Sequence, residues 1–386
     1  MSLRVRLGED YRTLFGQEWP VWIGGLLIGV FNVFLFLFYQ PWTTLDGVLN
    51  WGSWLWGTVG VLRPDEISPL VRSGSVVNIG LLVGAFAAAL LAGQFGVRVG
   101  PRRELIKGAA GGLLLGTGAA IARGCNIGGF FSATSALSLS GLAMAVGLAI
   151  GAFLATRYLV WEAERLPERV PVSPAPARPV HRRRQSVVGL LAVVAIFAAA
   201  AAYAVAGYPD RSVILLFGAV FGIVSQRSRV CFVQAFREPF LTGDTRHTRA
   251  MLLGLGVSIV GFALIKTTID AKLDDFVRPT FWIGGVVGGA IFGIGMVLAG
   301  GCGAGSIWRA GEGHVKLWLA VGGYVLSAAL VSEWLRRSGI AARLGQSVFL
   351  PDGIGWDGAI VFLFAVLVLW YILARWNEVT HRLASI

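Results

Sequence analysis

A chain of 386 residues that is 55% hydrophobic and only 14% charged is too apolar for a soluble domain, where about 25% charged is usual. Its mean hydropathy of +0.70 points to one polytopic membrane protein instead of two or three soluble domains. The net charge of +12 sits in short loops between apolar runs, the pattern of the positive-inside rule, so nucleic acid is excluded as a partner.

A run of roughly 20 apolar residues spans a bilayer as a helix. The first such run is 21–39, flanked by Trp19, Trp22 and Trp42, which suit the interface. Residues before it carry charges and no cleavable apolar core, so it is expected to be a retained span. The stretch 41–72 is polar, holds Trp51, Trp54 and Trp56, and is long enough for a helix lying on the surface. A span over 75–97 leads to the basic loop 98–107, a broken segment at 108–136 and a span at 140–160.

Residues 163–186 form a Pro/Arg-rich linker with Pro167, Pro171, Pro174, Pro176 and Pro179 before His181 and Arg182 to Arg184. Proline at this density favours an extended connection. It divides a first transmembrane half, 1–162, from a second, 187–386. The second half holds spans at 187–207, 248–267, 315–333 and 357–375, with broken segments at 212–240 and 281–311. Ten crossings with cytoplasmic termini keep most basic loops inside; Arg336, Arg337 and Arg343 then fall outside, against the rule.

The two halves are a duplication. Shifted by 177 residues, Gly111, Gly112, Gly116, Gly118, Gly124, Cys125 and Gly128 fall on Gly288, Gly289, Gly293, Gly295, Gly301, Cys302 and Gly305 without a gap. A fainter echo sets Gly25 and Gly29 over Gly218 and Gly222, with Phe38 where the later segment has Cys231. In the expected topology, 108–136 enters from the cytoplasm and 281–311 from outside. The fold expected is therefore an all-α polytopic membrane protein of inverted repeats, with broken helices meeting at the membrane centre.

Broken backbone is tolerated at membrane depth only where it is buried in protein or lines a cavity. A half-helix starting after Cys125 or Cys302 offers free N–H groups and a positive dipole end, suited to an anion. Gly112/Gly116 and Gly289/Gly293, four apart, read as helix packing. The substrate pathway is read at Cys125, Cys231, Cys302, Gly124, Asn126, Gly128, Gly129, Arg229, Gly301, Gly303 and Gly305. Arg309 and Glu312 read as snorkelling or paired. Three cysteines without a Cys-x-x-Cys pair argue against a disulfide framework or a zinc site, and no cofactor is expected.

The motifs Arg123-Gly124-Cys125-Asn126, Ser228-Arg229-Val230-Cys231-Phe232 and Ala299-Gly300-Gly301-Cys302, with 235–243 and 308–315, occur in an order that resembles the YeeE/YedE family of bacterial inner-membrane proteins. The likeness covers about 20–375. It implies an hourglass-like helical protein that takes up thiosulfate, with cysteines at the constriction passing the ion by transient S–H···S contacts. Phe38 stands where thiosulfate-transporting members carry a cysteine, which resembles the selenium-associated YedE branch. The resemblance also implies a sulfur-carrier partner of the TusA type. Two other functions stay open on the residues alone: a membrane thiol-disulfide redox protein, and a soft-metal permease using the three cysteines. Neither Cys-x-x-Cys nor a Met-rich path supports them, and no P-loop points to direct ATP drive.

Overall fold

The computed structural model describes residues 12–165 and 179–384. Ten helical stretches among them are long and apolar enough to cross a membrane, in the order expected from hydropathy, and only isolated β-bridges accompany them. The chain is a polytopic all-α membrane protein.

Four units share one plan: a long helix, a break, a short helix and a second long helix. The first is α1 (Val21–Phe38), α2 (Leu45–Thr58) and α3 (Ser73–Leu91). The second is α4 (Arg102–Ala122), a short helix α5 made of a π-helical turn Asn126–Phe131 running into Ser132–Ser135, and α6 (Leu139–Arg165). After α7 (Pro179–Val205) come α8 (Pro209–Ser228), α9 (Phe232–Leu241) and α10 (Arg246–Thr268) as the third. The fourth is α11 (Ile283–Ala299), α12 (Gly303–Gly311) and α13 (Val315–Arg337), and α14 (Leu350–Thr380) closes the chain.

Packing between units is reciprocal. Glycines of α4 lie against the backbone of α13 (Gly112 on Ala320), and glycines of α11 lie against α6 (Gly289 on Met144). Likewise α1 meets α10 at Gly25 and Ala250, while α8 meets α3 at Gly218 and Val77. The duplicated helices α4 and α11 cross antiparallel, for Gly111 meets Gly295 and Gly118 meets Gly288. A Cβ on Gly111 would stand 2.7 Å from the Gly295 carbonyl oxygen, and one on Gly118 2.6 Å from that of Gly288. So close an approach of backbones is available only to small residues. The glycines ahead of each break thus serve packing, as their spacing suggests.

The stretch 41–72 departs from the expected surface helix. It does form α2, but Leu45, Val48 and Asn50 are buried, and Gly52 lies against the α13 backbone at Val325. Hydropathy misled here because the aromatic and polar residues of α2 fall mostly on its outer end. Helices α7 and α14 stand outside the four-unit plan, mostly exposed along apolar faces that suit lipid. The Pro-rich linker, at 166–178, lies outside the described residues; its flanks 163–165 and 179–186 are helical continuations of α6 and α7.

Candidate functional site

Three of the four breaks have the same local design. The preceding helix ends on a residue in the left-handed region: Arg123 at φ 49°, Arg229 at φ 57° and Gly300 at φ 76°. Two residues on, Cys125, Cys231 and Cys302 are the N-caps of α5, α9 and α12. A non-glycine residue held in that left-handed region costs on the order of 1–3 kcal/mol. Arg123 donates to the Ala341 carbonyl at 3.4 Å, and Arg229 pairs with Glu312 at 2.5 Å.

The duplicated breaks match in detail. Cys125 Sγ accepts from the Gly128 N–H at 3.3 Å, and Cys302 Sγ accepts from the Gly305 N–H at 3.3 Å. The sulfur satisfies one free donor of the half-helix, and Cys125 Sγ also lies within hydrogen-bond reach of Thr43 Oγ1, where either group can donate. Cys231 is different: its thiol caps nothing, and its backbone N–H donates to His247 Nδ1 at 3.3 Å. The first unit puts Thr44 at the N-cap of α2. Phe38, which sequence alignment set over Cys231, is 46% exposed and packs on Phe217, away from the thiols.

These N-caps converge. Thr43 Oγ1 is 3.9 Å from Cys125 Sγ. A Cβ on Gly303 would meet Thr44 Oγ1 at 2.8 Å, Cys125 Cβ at 3.2 Å and the Tyr324 ring at 3.4 Å. One on Gly305 would meet Cys302 Sγ at 3.2 Å, and one on Gly128 would meet the Thr43 side chain. Gly124 and Gly129 pack on each other inside the α5 break, and Gly301 faces Ser306. Cys302 and Cys231 share a cavity of about 10 Å³ with Trp42, Ser225 and Trp308. The thiols thus form a file, Cys125 to Cys302 to Cys231, all buried and free. The last gap is room for about one water, so the file is closed to anything larger.

Each end of the file is polar. Beyond Thr43 opens a vestibule of about 340 Å³ lined by Arg123, Arg278, Arg336 and Asp46. Asp46 is already paired with Arg72 at 2.7 Å, which leaves the lining positive. Burial pushes the Arg278 guanidinium down to about 10, so it stays charged at neutral pH. Beyond Cys231 lies a largely buried network: Arg229 donates to Glu312 and, at 2.8 Å, to Gln94, while Gln226 donates to Gln94 at 2.9 Å and to Glu312 at 3.0 Å. Burial alone would raise the Glu312 carboxyl, but the His314 ring, 3.6 Å away, and the Arg229 charge hold it below the ordinary range. Glu312 precedes α13 and Arg336 ends it, so the two polar ends lie about 35 Å apart along that helix.

Several polar groups at the centre have no hydrogen-bond partner: Tyr324 Oη, Thr44 Oγ1, Ser306 Oγ and both amide atoms of Asn126. Each unsatisfied buried group costs about 1–3 kcal/mol. A cluster of them is unusual in a folded chain.

Of the residues read from sequence, Cys125, Asn126, Gly303, Gly305 and Cys302 come together at the centre, with Cys231 next in line and Arg229 in the network beyond it. Glu312 is paired, as expected, and Arg309 donates to the Gly300 carbonyl at 3.2 Å. Among the described residues no group of three His, Cys, Asp or Glu is gathered closely enough to hold a metal ion. Thr43, Thr44, Tyr324, Gln94 and Arg278 carry no motif and were missed. The basic residues on the wrong side in the charge count were the one available signal for the vestibule, since Arg336 lines it.

The sequence model of a family described as sulphur transport matches residues 6–154 and 227–385. The chain is 31% identical over 366 residues to "Probable transporter YedE" of Escherichia coli strain K12, covering 89% of this chain and 88% of that protein. It is 40% identical over 136 residues to the thiosulfate transporter TsuA of the same strain, 35% of this chain and 36% of that protein. With TsuA of Spirochaeta thermophila it shares 32% identity over 175 residues, 40% of this chain and 52% of that protein.

Proposed function

This chain belongs to the sulphur-transport (YeeE/YedE) family, as a membrane transporter and not an enzyme, and from that premise we propose that it carries thiosulfate, or a like anion with selenium at its soft end, along Cys125, Cys302 and Cys231. The observation that carries this reading is the file of buried free thiols set at N-caps between a positive vestibule and a polar far end. Arg123, Arg278 and Arg336 gather the anion. Half-helix N-termini and thiols then replace its water as it passes, by weak S–H···S contacts and with no covalent step. The small gap at Cys231 means that the pathway opens during turnover, a shift between two conformations.

The antiparallel crossing of α4 and α11 supports the inverted-repeat reading, with the vestibule outside a bacterial inner membrane and both termini in the cytoplasm. The anion would then leave near Arg229 and Glu312, where a TusA-type sulfur carrier would collect its sulfur. The test is uptake of labelled thiosulfate into proteoliposomes, with sulfate and selenite as competitors. Uptake that resists sulfate and is lost in Cys125→Ala supports the reading. Equal uptake by Cys125→Ala and wild type sinks the thiol file.

A further inference from the structure

A thiol is a weak hydrogen-bond donor and suits the soft end of a thiosulfate-like anion better than its oxygens. Something else at the centre must recognise the oxygens, and the unpartnered side chains there have the right chemistry. Tyr324 and Thr44 offer hydroxyl donors and Asn126 an amide donor. All three residues are 0% exposed, and none of these groups has a hydrogen-bond partner.

The three belong to different units yet meet around the same two cysteines. The Tyr324 ring and Thr44 Oγ1 both face the Cα of Gly303, beside the Cβ of Cys125. The Tyr324 and Thr44 hydroxyls approach each other, and the Asn126 amide approaches the Cys302 thiol, without forming an aligned bond in either case. The supports of the set are made. Asn78 donates to the Thr44 carbonyl at 2.9 Å, and the Tyr324 ring stands edge-on to Phe292 at 6.5 Å between centroids. Gly303 permits this close approach, since a Cβ there would stand 2.8 Å from Thr44 Oγ1.

We propose that Tyr324, Thr44 and Asn126 form an oxygen-recognising subsite between Cys125 and Cys302, which takes a small tetrahedral oxyanion with one soft terminal atom. The oxygens accept from Tyr324 Oη, Thr44 Oγ1 and Asn126 Nδ2, while the soft atom faces the thiols. This deepens the transport reading and rests on it. It also supplies the selectivity that the thiols lack: sulfate meets the donors but not the thiols, and thiocyanate meets the thiols but not the donors.

The test is Tyr324→Phe, which removes one hydroxyl and keeps the ring on Phe292, with Thr44→Val as a second variant should the first fail to fold. Labelled thiosulfate or selenosulfate uptake is measured in proteoliposomes, together with inhibition by thiocyanate and the thermal midpoint. The expected result is a KM raised about tenfold, the loss of one buried hydrogen bond, with thiocyanate inhibition and midpoint unchanged. An unchanged KM in both variants, where wild type transports, overturns the subsite and leaves the transport reading intact. A parallel loss of thiocyanate inhibition also overturns it, since that marks a general distortion. Failure of wild type to transport either anion overturns both.

Discussion

The breaks at Cys125 and Cys302 are near copies, while the break at Cys231 shares their backbone plan but not their use of sulfur. In the copies the thiol accepts an N–H three residues on, at 3.3 Å in each, so the sulfur is part of the fold as well as of the proposed pathway. At Cys231 that duty passes to no side chain, and His247 instead takes the cysteine's own N–H. A cysteine that caps a helix is held in place; one that does not is free to turn within the gap it lines. On the proposed reading, the fixed thiols mark the site and the third belongs to the part that opens.

Removal of the fixed thiols is expected to have the largest effect. Cys125→Ala and Cys302→Ala should reduce thiosulfate uptake to the background of empty liposomes and lower stability by about 1 kcal/mol through the lost cap, read by thermal unfolding. Cys231→Ala should retain measurable uptake and cost less stability; an equal stability loss at all three would break the comparison.

A change of sulfur to oxygen separates capping from softness. Cys302→Ser should keep the midpoint near wild type, because a hydroxyl caps as well, while uptake falls roughly fivefold for about 1 kcal/mol of lost contact. A serine that transports as well as wild type would mean that the sulfur's softness is not used.

The closed end gives a smaller, pH-dependent effect. The Glu312 carboxyl is held below its ordinary 4.5 in the folded protein, chiefly by His314 and Arg229 against the opposing effect of burial. Its contribution to stability is therefore present above pH 4.5 and is lost as pH falls through the lowered value. Unfolding midpoints should drop over that acidic range in wild type, and Glu312→Gln should flatten the fall. A variant with the wild-type pH profile would show that this carboxylate does not carry the acid-sensitive part of the stability.

The smallest expected effect concerns His247. His247→Ala should leave uptake within about twofold and stability within about 1 kcal/mol, the value of one neutral hydrogen bond. A loss as large as that of Cys231→Ala would make the imidazole, and not the thiol, the working group at the third break.

Much of this was written locally. A membrane span is a continuous apolar run, and a tolerated break needs glycines around one polar residue, so ten spans and three cysteine-bearing breaks could be read in order from the chain. The 177-residue repeat even pairs Arg123 with Gly300, which is a legible sign of the left-handed turn that both adopt. The first unit was misread because its N-cap is Thr44, an ordinary residue in an aromatic stretch, and not the Phe38 position where alignment looked for a cysteine.

The rest required the packed molecule. Thr44, Tyr324 and Asn126 lie on three different units, and no periodicity or spacing links them before those units dock. The vestibule arises in the same way, from arginines on α13, a loop and the end of α4. Sequence alone determined which segments cross the membrane and where their helices break, because hydrophobic length and backbone freedom are properties of neighbouring residues. Tertiary structure alone decided what faces the thiols, because burial without a hydrogen-bond partner is a property of residues brought together from far apart.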